Sequence, residues 1–219
     1  MSIVETSRVR VVRVERTTTD VTWLMGRLAR FLEGETSVLV PVGDEDLPPA
    51  VLQDVENRSV WLPEEVGLVV RTSGSTTGTG RLVGLSADQI RASGAATRHR
   101  LGVPCTWLLG RPPHHIAGLQ VVARAVGDGR DVVTIQGHVD PPSVIAAIEQ
   151  AEQRHPDGRV AISLVPTQLT HLVDDPRCAA ALARCAAVLV GGAPPTAALL
   201  DRARVRGIAA AFAEGMSGS

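Results

Sequence analysis

The sequence predicts an α/β fold in which a mostly parallel sheet, or sheets, is covered by helices. Three observations carry that expectation. Short Val-rich runs that read as strands alternate with apolar stripes at helical spacing. The links between them are short, as βαβ units require. No apolar run approaches the roughly 18 residues of a membrane-spanning helix, so the helices belong to a globular core.

In chain order, Val9–Val14 reads as a strand, and Asp20 is placed to cap a helix carrying Leu24, Leu28 and Leu32 on one stripe. A short strand follows at Ser37–Val40, then an acidic, Pro-containing segment over 43–56. Val66–Arg71 is a strand that runs straight into a loop of Gly, Ser and Thr. Ser86-Ala-Asp-Gln89 is a capping-box pattern opening a helix that Gly102 stops. Thr106–Leu109 is a strand, followed by the turn 111–118 and an apolar helix at Leu119–Val126. The remainder repeats the alternation. Strands are expected at Asp131–Ile135, Val160–Val165, Ala187–Val190 and Ile208–Phe212. Helices are expected after Asp140, at Thr167–Val173, Asp175–Arg184 and Pro195–Arg204. No repeat or long linker divides the chain, so one domain over 1–219 is expected.

Composition narrows the functional classes. The chain is 44% hydrophobic and 21% charged with a net charge of −1, which offers no electrostatic case for nucleic acid or an anionic membrane. It contains no lysine, so no step that needs a lysine amine falls to these residues. Cys105, Cys178 and Cys185 form no CxxC and read as buried small hydrophobes. No charged-then-apolar leader opens the sequence, and a cytoplasmic location is expected.

The loop Thr72-Ser73-Gly74-Ser75-Thr76-Thr77-Gly78-Thr79-Gly80-Arg81 follows a strand. Backbone N–H groups on such a loop can approach phosphate oxygens, the hydroxyls add donors, and Arg81 adds a fixed positive charge. The spacing is neither a Walker A loop nor the Rossmann fingerprint. By composition alone it also reads as a polar surface loop. Its order resembles the signature of the acyl-adenylate-forming superfamily, with Gly80 where proline is usual and Arg81 where lysine is usual. Three later segments occur in similar order and spacing in o-succinylbenzoate–CoA ligases of menaquinone biosynthesis. They are Pro112–Leu119, Ser163–Leu169 and Val188–Pro194, and the resemblance covers residues 60–219.

That resemblance implies ATP, Mg²⁺ and CoA as reactants and a small-molecule carboxylic acid as substrate. It implies that Thr72, Ser73, Gly74, Ser75, Thr76, Thr77 and Gly78 hold phosphates and that Arg81 supplies the lysine's charge. His115, in the Pro-x-His-x-x-Gly turn, would lie near the acyl carboxylate. Gly191, Gly192 and Ala193 would let adenine pack on backbone, and Pro166, Thr167 and Gln168 would line the acyl pocket. Packing is an equal reading for the last three. No metal-ligand spacing is present, and Gly218 stands where the family has an acidic magnesium ligand. Glu214 stands where it has an aromatic. The family's small C-terminal domain is missing, so the chain alone is expected to be weak or inactive. A nucleotide-binding module, a half-enzyme served by a separate C-terminal partner, and a ligase for another acid remain alternatives. A homo-oligomer stays open.

Overall fold

The computed structural model describes residues 3–6, 9–43, 62–71, 82–156 and 158–212. The strands are β1 (Ile3–Thr6), β2 (Val9–Arg13), β3 (Val38–Val42), β4 (Val66–Arg71), β5 (Leu82–Ser86), β6 (Cys105–Leu109), β7 (Val132–Thr134), β8 (Arg159–Leu164), β9 (Ala187–Val190) and β10 (Ala210–Phe212). The helices among these residues are α1 (Thr18–Leu32), α2 (Ala87–Leu101), α3 (Ile116–Asp128), α4 (Pro141–Arg154), α5 (Pro166–Asp174), α6 (Pro176–Ala183) and α7 (Ala197–Val205). The strands form two five-stranded sheets. Sheet 1 has the order β1-β2-β3-β4-β5 and sheet 2 the order β10-β9-β8-β6-β7. Sheet 2 is parallel throughout. Sheet 1 is parallel over β2-β3-β4 and antiparallel at both edges.

Alternation along the strands decides which residues meet. On sheet 1, Val12, Leu39, Leu68 and Val70 turn toward α1 and α3, which bring Leu24, Leu28, Phe31, Leu119 and Val122 into the same core. Trp107, Leu109 and Leu189 reach that core from sheet 2, so α1, α2 and α3 form a layer between the sheets. The opposite face of sheet 2 carries Leu108, Ile162, Leu164 and Val188 into a second core with α4 to α7. The inner strands of sheet 2, β6, β8 and β9, are buried on both faces, which is why they read as mostly apolar runs.

The structure differs from the sequence reading at several element ends. Helix α1 starts earlier than Asp20, because Thr17 is its cap and accepts from the Asp20 N–H. Asp20 instead accepts from the Glu15 N–H at 2.9 Å, a variant of reciprocal capping. Helix α3 begins at Ile116 with His115 as cap, three residues before the expected start. Strands β1 and β5 went unread. Each is the outer partner of an antiparallel pair, so neither carries the full apolar run that marked the inner strands.

Candidate active site at the strand C-termini

Sheet order reverses between β6 and β8. From β6 the chain crosses through α3 to β7 on one side, and from β8 it crosses through α5 and α6 to β9 on the other. A crevice outside the C-terminal ends of β6 and β8 is the usual ligand site of an open α/β sheet. Three segments singled out from the sequence fall at that end. Residues 110–118 follow β6, Pro166, Thr167 and Gln168 follow β8, and Gly191, Gly192 and Ala193 follow β9.

The β9 segment is tied to the β8 segment directly. The Gly191 N–H donates to Leu164 O at 2.9 Å. Gly192 takes φ +86° and lies against Val165, whose Cγ1 would be 3.4 Å from any added Cβ. Glycine is therefore the residue that gives this turn its left-handed step and its exposed backbone. At the start of α5, Gln168 folds back so that its Oε1 accepts from the Val165 N–H at 3.0 Å. Half of the Gln168 amide is thus occupied with capping, while Thr167 is exposed beside it.

After β6, the turn is held from inside. The His115 N–H donates to Pro112 O at 3.2 Å, and the Leu119 N–H donates to His115 O at 2.9 Å. Gly118 sits on the turn's own backbone, where an added Cβ would lie 2.2 Å from Pro112 O and 2.9 Å from Arg111 O. That contact explains the glycine of the Pro-x-His-x-x-Gly pattern. His115 caps α3 through its backbone geometry without a side-chain cap bond, and its ring stands 4.4 Å from that of His114.

The same end of the molecule receives the C-termini of the parallel strands of sheet 1. Val14 N donates to Val42 O, extending the β2-β3 pair beyond the strands. His114 Nδ1 lies 3.3 Å from Val14 O, and its ring fills the space above Gly43 where a Cβ would come within 2.5 Å. Arg16, just past β2, donates from Nη1 to Gly110 O at 2.6 Å and from Nη2 to Gly137 O. Burial lowers the Arg16 pKa from its ordinary value, with no carboxylate paired to it among the described residues. Sequence reading missed Arg16, and no local pattern marks it. The loop residues Thr72, Ser73, Gly74, Ser75, Thr76, Thr77, Gly78 and Arg81 lie outside the described residues. Their flanks do not: Arg71 of β4 pairs with Leu82 of β5.

A cleft of about 840 Å³ opens elsewhere, between α1, α2 and α3 beside Val103 and Pro104, ahead of β6. Its walls are helix flanks such as Ala29, Leu32, Ala95 and Val126. Arg91 there is bonded to Asp88, and Arg98 to Asp128 and Gly127 O. Glu33 and His99 also line it, and none of residues 110–118, 166–168 and 191–193 is among its walls. Among the described residues no three His, Cys, Asp or Glu side chains converge as metal ligands. Gly218 and Glu214 lie outside those residues.

Two sheets enclosing a helical layer give the chain the fold of the N-terminal part of the adenylate-forming enzymes. In sequence it is similar to the 2-succinylbenzoate–CoA ligases. A probable 2-succinylbenzoate–CoA ligase of Mycobacterium tuberculosis is 38% identical over 196 residues, which is 89% of this chain and 49% of that relative. The chain thus spans about half the length of the curated relatives it matches. The o-succinylbenzoate CoA synthetase of Bacillus subtilis, in complex with its acyl-adenylate intermediate, superposes with a TM-score of 0.67 at 20% identity over 96% of this chain and 49% of that one. ATP-bound MatB from Rhodopseudomonas palustris gives 0.63 at 15% identity, over 90% of this chain and 54% of that one. No family model matches the chain.

Proposed function

We propose that this chain is the nucleotide- and acyl-binding part of an o-succinylbenzoate–CoA ligase. The observation that carries the reading is the 38% identity spread over 89% of the chain. The gathering of residues 110–118, 166–168 and 191–193 at one end of sheet 2 supports it. In this reading an oxygen of the substrate carboxylate attacks the α-phosphorus of ATP and the bond to pyrophosphate breaks. The thiolate of CoA then attacks the acyl carbon, and AMP leaves. The chain's own contribution is positioning and charge. Thr72 to Gly78 hold the β- and γ-phosphates on backbone N–H groups, and Arg81 offsets their charge. Gly191, Gly192 and Ala193 let the adenine lie against backbone. His115 faces the acyl carboxylate, with Pro166 and Thr167 along the acyl group. Gln168 contributes its remaining amide N–H groups.

This chain by itself has no lysine and carries Gly218 in place of an acidic residue, so it binds better than it turns over. Calorimetric titration with ATP and with an acyl-sulfamoyl adenosine should give saturable heats. Absence of heat for both at millimolar ligand would sink the reading. Pyrophosphate release with o-succinylbenzoate should be slow, and brisk release would show that these residues suffice for catalysis.

A further inference from the structure

We propose that Arg16 is a positioning residue for the β6–α3 turn, and through that turn for His115. Its guanidinium donates to Gly110 O at 2.6 Å and to Gly137 O, and so bridges the ends of β6 and β7 from a loop that belongs to sheet 1. A planar fork can serve two carbonyl oxygens at once, which a single ammonium on a flexible stem does less well. Arg16 makes no ion pair among the described residues, and its only recorded bonds are to these two carbonyls. The side chain is part-buried and its charge is desolvated, yet it is directed at backbone geometry and at no acid. A partly buried cation used in this way fixes a backbone position.

The route to His115 is short and stiff. Gly110 is followed by Arg111 and Pro112, whose carbonyls are packed against Gly118 with no room for a Cβ. Pro112 O also receives the His115 N–H. On the other flank His114 is wedged between Val14 O and the Cα of Gly43. Releasing Gly110 therefore frees the turn between two fixed points, and the residue that moves with it is His115. The functional weight of the clamp rests on the reading of His115 as acyl-facing, whereas the clamp itself is tested without ligand.

The experiment uses the full chain with isotope-labelled histidine. The six histidine ring signals are compared in wild type, Arg16→Gln, Arg16→Lys and the control Arg184→Gln, which breaks a remote pair with Glu152. Circular dichroism establishes that each variant is folded. Arg16→Gln should displace or broaden the His114 and His115 signals while His99 and His155 stay in place. Arg16→Lys should do the same to a smaller degree, and the control should not. An unchanged His115 in folded Arg16→Gln overturns the proposal. So does an equal change at all six histidines, or loss of fold in both Arg16 variants, since either means a global structural role. ATP titration of the wild type judges the nucleotide reading separately.

Discussion

Cys105, Cys178 and Cys185 are all buried, and burial is the leading reason their thiols are hard to ionise. Cys105 is pushed up to about 11, with Asp128 adding to the effect. Cys178 and Cys185 are pushed up to about 12, helped by Asp175 and by Glu152 respectively. The fold holds the neutral thiol, whereas the unfolded chain releases its thiol protons first as pH rises. Their contribution to stability is therefore complete below the unfolded thiol value and is lost as pH climbs toward the folded values. The denaturant midpoint should fall between about pH 9 and pH 11. At neutral pH iodoacetamide should leave the native chain unlabelled and label it in denaturant; rapid native labelling would contradict the burial. At this scale the sequence was informative where chemistry is local. Three small apolar-type cysteines without a motif are buried, and the Pro-x-His-x-x-Gly turn has its glycine against backbone. Arg16 was illegible because its two acceptors are 94 and 121 residues away and are carbonyls, which carry no residue identity.

Two glycines show how differently one residue type serves its element. In α3, Gly118 is pressed onto the turn that follows β6, and its Cβ position is 2.2 Å from Pro112 O. In α2, Gly94 has nothing within 4 Å of that position. Alanine at Gly118 would push the first turn of α3 off its support. It should cost about 1–3 kcal/mol, the usual range for overpacking. Alanine at Gly94 should stabilise by about 0.5–1 kcal/mol, because it removes unfolded-state freedom and improves helix propensity without meeting a neighbour. Urea unfolding of both variants checks the opposite signs, and equal effects would refute the packing argument. Elements were legible where burial imposes a period. Helix α1 buries Val21, Leu24, Leu28 and Phe31; Leu24 and Leu28 of the expected stripe were visible, whereas Leu32 is only partly buried and Val21 and Phe31 complete the face. Helix α2 buries only Ile90, and its start was found from the Ser86–Gln89 capping box instead. Gly67 stands where the β4-β5 register shifts, with the Phe31 ring 2.2 Å from its Cβ position. Such a contact is settled by a helix elsewhere in the chain and leaves no trace beside the glycine.

Across the whole molecule, the division into two sheets was the part of the architecture that the alternation of elements left open. Periodicity says that a segment is a strand and which face is apolar, but not which strand lies beside it. Partner choice here follows from α1 and α3, whose apolar surfaces are shared by both sheets. Because Leu68 and Trp107 belong to one continuous core, the two sheets should unfold together. Far-UV dichroism and the fluorescence of a variant retaining only Trp107 should give coincident urea transitions. A biphasic curve would mean that each sheet folds on its own. The site shares this logic, since its segments come from β6, β8 and β9 and are assembled only when sheet 2 is complete.

The two outermost strands of sheet 2, β7 and β10, are each three residues long. An edge that short exposes few unpaired N–H and C=O groups in a row, so it is a poor template for a foreign strand. The inner strands β6, β8 and β9 have the mostly apolar character that favours cross-β stacking, and they are enclosed on both faces and both sides. Resistance to fibril growth is thus built into how sheet 2 is ordered, with its most aggregation-prone segments innermost and its briefest ones at the rim.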